Sequence, residues 1–303
     1  SLWLWKHHNL MIQTFVQNVA AHGGSLAVLT DARDVCVAAA RLFPVCIVAP
    51  EALFDDDAFS ALMKEKWHLM LRHVHHDTPA VYAGMDVYFT VSVPRLLADV
   101  CGDRRVDVAI EGHQKDGRIQ LITPDLVVVC PTAPTVAFVE RVAREISRPT
   151  VDDLPAPWNR TALLRHEWHL MGPAQQDFVW DAFATALAGK RVLTRKLMLA
   201  SKALAKLGAP VVPPVAPPVP TESFPHDGDV VHGKQLSVWF LGHSVGRHAG
   251  RPRSGLYVLH CGGKKPECID SVRAQNNSDV FSRARLHAQS QKNQTPPFGA
   301  RRV

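Results

Sequence analysis

Short apolar runs alternate with longer stretches of helical periodicity along most of the chain. The apolar runs predict buried strands at 26–29, 45–48, 80–83, 107–111, 126–130, 237–241 and 256–260. Apolar positions three and four residues apart predict helices at 9–22, 34–42, 58–74, 94–100, 135–146, 175–187 and 192–207. Because short buried strands that alternate with helices build βαβ units, the pattern predicts an α/β fold with a parallel sheet.

Asp86 follows the predicted strand at 80–83, within the sequence AVYAGMDVYF. A carboxylate at the end of a buried strand costs free energy unless it is paired or faces a cleft. In open α/β sheets, the ligand cleft lies beyond the carboxyl ends of the strands. Asp86 is therefore a candidate ligand-binding residue, and the alternative is a turn or capping residue at the end of the strand.

The composition is that of a globular protein with a basic excess. The chain has 303 residues, a length that suits one large domain or two small ones. Its apolar fraction of 47% is enough for a sizeable core. The net charge is +6, and many of the basic residues lie after residue 246. This distribution favours a phosphate-bearing ligand, an anionic polymer or nucleic acid, and the alternative is a solubilising surface. We expect no nucleic-acid partner, because the sequence contains no recognition motif for one.

The sequence contains no predicted membrane-spanning segment, since no run of 18 apolar residues occurs. Its start, SLWLWKHHNLMIQ, lacks the basic region and the cleavage site of a signal peptide, and it lacks an initiating Met. We therefore expect a fragment, or a chain that associates with a membrane only through a missing N-terminal anchor.

None of the six cysteines forms a CxxC pair, which argues against a zinc ribbon or a thioredoxin-type site. Cys261 and Cys268 are spaced to close a short loop in an oxidising compartment, and free buried thiols are the alternative. Glycosylation sequons at Asn159, Asn276 and Asn293 fit a secretory route.

Composition divides the chain into four parts. Residues 1–208 form the predicted core, and 209–229 are rich in proline, which favours an extended polyproline II insertion. Residues 230–270 contain strands that complete the core. Residues 271–303 are basic and polar with few apolar anchors, and we expect them to be disordered.

Several segments, taken in order, resemble the nucleotide-diphospho-sugar transferases, a family that includes plant and algal glycosyltransferases of the cell wall. The segments are MIQTFVQNVAAHGGSLAVLTD, VCVAAARLFPVCIVAP, KWHLMLRHVHHDTPAVYAGMDVYFTVSVPRLL, DLVVVCPTAPTVAFVERV, PAQQDFVWDAF and GLYVLHCGGK. This resemblance extends from about residue 10 to residue 268. It implies a GT-A fold, which is a Rossmann-like mixed sheet flanked by helices.

The resemblance also implies an activity. The chain is expected to transfer a sugar from a nucleotide-diphosphate sugar, most simply a UDP-sugar, to a glycan or a hydroxyproline-rich glycoprotein. The family uses Mn²⁺ or Mg²⁺, which neutralises the diphosphate as it leaves. The resemblance further implies a location in the Golgi lumen.

Seven residues are candidates for the functions that the resemblance implies, and Asp86, His260 and Gln176 are the ones that match positions of the family pattern. Asp86 and His260 would be the metal ligands, and Lys66 and Lys264 would contact phosphates. Asp31 would accept a hydrogen bond from the ribose or the base, and Gln176 would face the donor sugar or the acceptor. Asp177 would be the general base for the acceptor hydroxyl. The plain alternatives are a turn or cap for Asp31 and Asp86, a solvated helix residue for Lys66, and a half-buried strand residue for His260.

The sequence departs from the family pattern at two positions. Gly84 stands where the family's Asp-x-Asp motif has its first carboxylate, and Gln175 stands where the family has an Asp directly before the Gln that Gln176 matches. These departures favour a second interpretation, a catalytically impaired relative that binds a glycan or a protein partner. A third interpretation is an unrelated basic α/β protein that binds nucleic acid through its C-terminal region. Absence of metal-dependent UDP binding would exclude the first interpretation, and a steep salt dependence of nucleic-acid affinity would identify the third.

Overall fold

The computed structural model describes twelve stretches of the chain. They are residues 2–23, 27–30, 45–48, 58–84, 86–115, 118–147, 175–189, 191–206, 230–241, 258–261, 268–270 and 272–274. The predicted helix at 34–42, the proline-rich insertion at 209–229 and the tail from 275 onward lie outside the described residues, and the division into four parts stays a prediction.

Six helices have defined bounds in the described chain: α1 (Leu2–Ala21), α2 (Ala58–His75), α3 (Val93–Leu97), α4 (Ala133–Ser147), α5 (Gln175–Ala188) and α6 (Thr194–Lys206). A π-helical turn, Ala98–Asp103, continues from α3. Nine strands accompany them: β1 (Ala27–Thr30), β2 (Val45–Val48), β3 (Ala80–Ala83), β4 (Val87–Phe89), β5 (Val108–Lys115), β6 (Arg118–Val129), β7 (Val230–His232), β8 (Ser237–Leu241) and β9 (Val258–His260).

The strands form one five-stranded sheet and two separate pairs. The larger sheet has the order β3-β6-β5-β8-β7, in which β5 and β8 are parallel and every other neighbouring pair is antiparallel. β1 and β2 form a parallel pair, whereas β4 and β9 form an antiparallel pair. The predicted mixed sheet flanked by helices is therefore confirmed. The simpler expectation of a parallel sheet holds for the β1–β2 pair but is wrong for the five-stranded sheet, since apolar runs record burial but not strand direction.

The hairpin of β5 and β6 is much longer than the apolar runs predicted. Its outer part, from residue 112 to 124, contains mostly polar side chains and Pro124, so no strand was expected there. Pairing shifts register at Glu111, because Ile110 pairs with Val127 whereas Glu111 pairs with Thr123. Residues 124–126 therefore form a bulge on β6 beside Glu111, and bulges of this kind redirect side chains.

The helices at 58–74, 135–146, 175–187 and 192–207 are confirmed to within a few residues. α1 begins earlier than the expected residue 9, and the helix predicted at 94–100 is α3 followed by the π-helical turn. The three-residue strands β4 and β7 were not predicted, because they are too short for a periodic pattern. Within the part of the chain that the structure describes, no helix is long and apolar enough to cross a membrane.

Two apolar cores lie on opposite faces of the five-stranded sheet. Alternate residues of β6 serve each of them, with Val127 and Val129 in one core and Leu126 and Val128 in the other. The first core contains buried side chains of α2, α4, α5 and α6. The second contains side chains of α1, β4, β9 and the helical residues 268–270 and 272–274. It holds β4 and β9 against the sheet.

Two disulfide bridges lie in this second core. Cys261–Cys268 closes the short loop that the spacing allowed, which confirms that interpretation over free thiols at these two positions. Cys101–Cys130 ties the π-helical turn to the end of β6 and was not predicted, because its partners are separated by 29 residues.

Candidate functional site

Asp86 and His260 come together at the ends of two short paired strands. In the β4–β9 pair, His260 lies opposite Val87, the residue that follows Asp86. The amide of the next residue, Cys261, donates a hydrogen bond to the backbone carbonyl of Asp86 at 2.8 Å. The side chains meet as well, since Nε2 of His260 lies 3.5 Å from Oδ2 of Asp86. Two residues from distant parts of the sequence therefore share one site.

Glu111 completes this group from the larger sheet. Its Oε1 lies 3.0 Å from Nδ1 of His260, so the imidazole lies between two carboxylates. Glu111 is buried, and its other oxygen, Oε2, has no hydrogen-bond partner among the described residues. Sequence reasoning missed Glu111 as a site residue. The signal was nevertheless available, because Glu111 ends a predicted buried strand in the same way as Asp86.

Position 84 lies where two acidic residues approach each other. The amide of Gly84 donates to the backbone carbonyl of Asp125 at 2.7 Å, and its own carbonyl accepts from Val87 at 3.0 Å. A Cβ atom at residue 84 would lie 3.2 Å from Oδ1 of Asp86 and 3.7 Å from Cβ of Asp125. Glycine therefore leaves room for both acidic residues.

The charges of this group strongly affect its titration. Burial alone would lower the pKa of His260, but hydrogen bonds to Asp86 and Glu111 outweigh it and raise the pKa to about 10. Burial raises the pKa of the Glu111 carboxyl, against the opposing effect of His260. When no cation is bound, these effects favour the protonated imidazole of His260 between the two carboxyl groups.

Lys66 lies in the interior near this group. Its side chain is only 2% exposed, so the interpretation as a solvated helix lysine is wrong. Its ammonium lies 4.2 Å from the centre of the Tyr82 ring, which is a cation–π distance. Burial lowers the pKa of Lys66 to about 8, although the charge of Asp125 opposes this change. Contact of Lys66 with a phosphate stays a prediction.

Two tyrosines border the acidic residues. Burial and the charges of Asp125 and Asp86 raise the pKa of Tyr82, and burial and Asp86 raise the pKa of Tyr88. The hydroxyl of Tyr88 is buried without a hydrogen-bond partner among the described residues. Both side chains stay protonated over the physiological range, so they are available as hydrogen-bond donors.

The remaining predicted site residues are not joined to this group by the described structure. Asp31 and Lys264 lie outside the described residues. Gln176 and Asp177 lie in the first turn of α5, where the structure defines the helix and not their contacts. Their proposed roles stay predictions.

The side chains of Asp86 and His260 suit a divalent cation whose other ligands are phosphate oxygens and water. No group of three or more His, Cys, Asp or Glu side chains is arranged to hold a metal ion among the described residues. Asp86 and His260 nevertheless present a carboxylate oxygen and an imidazole nitrogen side by side. Carboxylates suit Mg²⁺ and Mn²⁺, and neutral imidazole is a common metal ligand in proteins. Phosphate oxygens and water would complete such a coordination shell, as is usual for nucleotide-bound metals.

Comparisons with known proteins give no relative for this chain. No family model, no curated protein and no solved structure matches it. The geometry of the described residues and the resemblance of the sequence segments are therefore the basis for any functional conclusion.

Proposed function

We propose that the protein is a GT-A glycosyltransferase that uses a divalent metal and a UDP-sugar. The observation that carries this proposal is the meeting of Asp86 and His260 at 3.5 Å, on the paired strands β4 and β9. The resemblance assigns both residues as metal ligands from the sequence alone, without reference to their positions in the fold. A chance resemblance would not have required them to be neighbours.

In this proposal, the metal ion supplies charge neutralisation for the departing UDP diphosphate. Asp86 and His260 bind and orient the metal–nucleotide complex, while Lys66 and Lys264 contribute positive charge. Asp31 and Gln176 orient the nucleoside and the sugar. Asp177 receives the proton of the acceptor hydroxyl, which belongs to a glycan or a hydroxyproline-rich glycoprotein.

The site environment supports a ligand with a high negative charge only when a cation accompanies it. Asp86, Glu111 and Asp125 all act electrostatically on this region, since Asp86 and Asp125 both raise the pKa of Glu111. A free diphosphate would be repelled by these carboxylates. A diphosphate with a bound Mn²⁺ or Mg²⁺ would be attracted through the metal, which explains why we expect binding to depend on the metal.

The two disulfide bridges among the described residues and the three sequons favour an oxidising secretory compartment, in agreement with the proposed location in the Golgi lumen. Reducing compartments keep most thiols free, so a cytosolic protein rarely contains two buried bridges.

Titration calorimetry with UDP tests the proposal. We expect heat of binding when Mn²⁺ is present and none when the metal is chelated. Absence of heat under both conditions would rule out the proposed enzyme.

One observation favours a second candidate, the catalytically impaired relative. Gly84 provides no carboxylate, and the structure leaves little space for one beside Asp86. In that case UDP and Mn²⁺ would bind, but a panel of UDP-sugars would show neither hydrolysis nor transfer. Release of UDP from any donor sugar would exclude this candidate.

A further inference from the structure

Glu111 lies on the opposite side of the His260 imidazole from Asp86. The carboxylate oxygen Oε1 is 3.0 Å from Nδ1, whereas Asp86 approaches Nε2. The side chain of Glu111 is 3% exposed and that of His260 is 12% exposed. The contact between them is therefore shielded from water, which strengthens its electrostatic part.

A buried carboxylate in contact with one imidazole nitrogen determines which nitrogen carries the proton when the ring is neutral. Nδ1 donates its hydrogen to the carboxylate, and the lone pair of Nε2 then points away from it. In this structure, the direction away from Glu111 is the direction of Asp86. We propose that Glu111 is a positioning residue, which holds His260 so that Nε2 and Asp86 together bind a divalent cation. This inference rests on the proposed function, because it needs a metal at the site.

Glu111 lies at a strand position where an apolar residue would be expected if the position served only the fold. The three preceding residues of β5, Val108, Ala109 and Ile110, are fully buried and apolar. Glu111 continues the strand, pairing with Leu241 of β8, but the register shift at the β6 bulge begins there. A further apolar residue would satisfy the sheet without the cost of burying a carboxylate.

The orphan oxygen of Glu111 supports the same conclusion. Oε2 is buried without a hydrogen-bond partner in the described structure, and an unsatisfied buried acceptor is costly. A group that the fold alone required would be expected to have both oxygens satisfied. His260 is the contact that accounts for the position of this side chain.

The test measures Mn²⁺ affinity in the presence of UDP, by electron paramagnetic resonance of the free ion, for the wild type and three variants. Glu111→Ala removes both charge and acceptor, and we expect a 10- to 100-fold loss of affinity, about the loss that accompanies removal of such a partner. Glu111→Gln keeps an acceptor oxygen for Nδ1–H and is expected to lose roughly tenfold or less. Glu140→Ala is the control, because Glu140 also contacts a histidine, His75, but at a partly exposed site on α4. It should bind Mn²⁺ as the wild type does.

A spectroscopic measurement tests the orientation without relying on a variant that folds. In the wild-type complex with Mg²⁺ and UDP, long-range ¹H–¹⁵N spectra of His260 should report a neutral ring with the proton on Nδ1. A proton on Nε2 would overturn the inference, as would a folded Glu111→Ala variant with wild-type affinity. If the wild type itself binds no Mn²⁺ with UDP, the proposed function fails, which is a different result from wild-type binding that is insensitive to Glu111.

Discussion

The Nε2 atom of His260 lies 3.5 Å from the Oδ2 atom of Asp86, on a pair of strands only three residues long. Such a short pair is not stable by itself in water. Its position depends on what surrounds it, namely the second apolar core, α1 and the Cys261–Cys268 bridge. The geometry of the candidate site is therefore sensitive to groups that do not belong to it.

Asn18 of α1 is one such group. Its side chain is buried, it donates to the carbonyl of Phe89 at 3.0 Å, and it accepts from the amide of Phe89 at 2.6 Å. Asn18→Ala leaves both backbone groups of β4 without these partners, so we expect a loss of about 2–4 kcal/mol in the free energy of unfolding. Urea denaturation measures it. Gln17→Ala, at an exposed neighbouring position, should change it by no more than about 0.5 kcal/mol. Equal losses in the two variants would contradict the role of Asn18.

The two disulfides should have separable effects. Cys101 and Cys130 are separated by 29 residues and Cys261 and Cys268 by 7, so loop entropy predicts contributions of about 3.6 and about 2.4 kcal/mol to stability. The short bridge, however, follows His260 directly. We expect the paired Ser substitutions at 261 and 268 to weaken Mn²⁺–UDP binding more, and those at 101 and 130 to lower the melting temperature more. The reverse order for binding would show that the short bridge does not position His260.

Lys66 gives a prediction about pH. Its pKa in the folded protein is about 8, below the ordinary value of 10.5, because burial disfavours the charged form. Between these two values the unfolded chain binds more protons than the folded protein, so the contribution of Lys66 to stability rises with pH. Relative to Lys66→Met, the wild type should gain about 3 kcal/mol between pH 8 and pH 10.5. Denaturant unfolding of both proteins across this range measures the difference, and parallel pH curves would contradict it.

The sequence singled out Asp86 and His260, which meet in the structure, but it did not predict the order and direction of the strands. A carboxylate after a buried strand indicated Asp86, and the same rule, applied to the strand at 107–111, would have indicated Glu111. Asp125 gave no such signal, because it lies in a bulge that only the pairing of β5 with β6 reveals. The burial of Lys66 could have been predicted from the sequence, since Lys66, Met70 and Val74 are four residues apart and share one face of α2. Strand direction could not be predicted, because a strand buried on both faces has the same apolar run in a parallel and in an antiparallel sheet.

Gly84 tests whether the space beside Asp86 matters. In Gly84→Ala, the new Cβ would lie 3.2 Å from Oδ1 of Asp86, so the carboxylate must move by a few tenths of an ångström. Crowding of about 1.4 kcal/mol corresponds to roughly tenfold weaker Mn²⁺–UDP binding, which calorimetry measures. Gly102→Ala is the matched control, because no atom of the described residues lies within 4 Å of its added Cβ. Unchanged binding in Gly84→Ala would mean that Asp86 adopts a different conformation when ligand is bound.

Asp86 and His260 are proposed to bind a divalent cation together with UDP. The most direct measurement is the Mn²⁺ electron paramagnetic resonance titration with UDP present, for the wild type, Asp86→Asn, His260→Gln and the exposed control Asp103→Asn. We expect the wild type and Asp103→Asn to bind Mn²⁺ equally. Asp86→Asn and His260→Gln should each lose the binding while remaining folded by circular dichroism. Wild-type affinity in either of these two variants would contradict the claim.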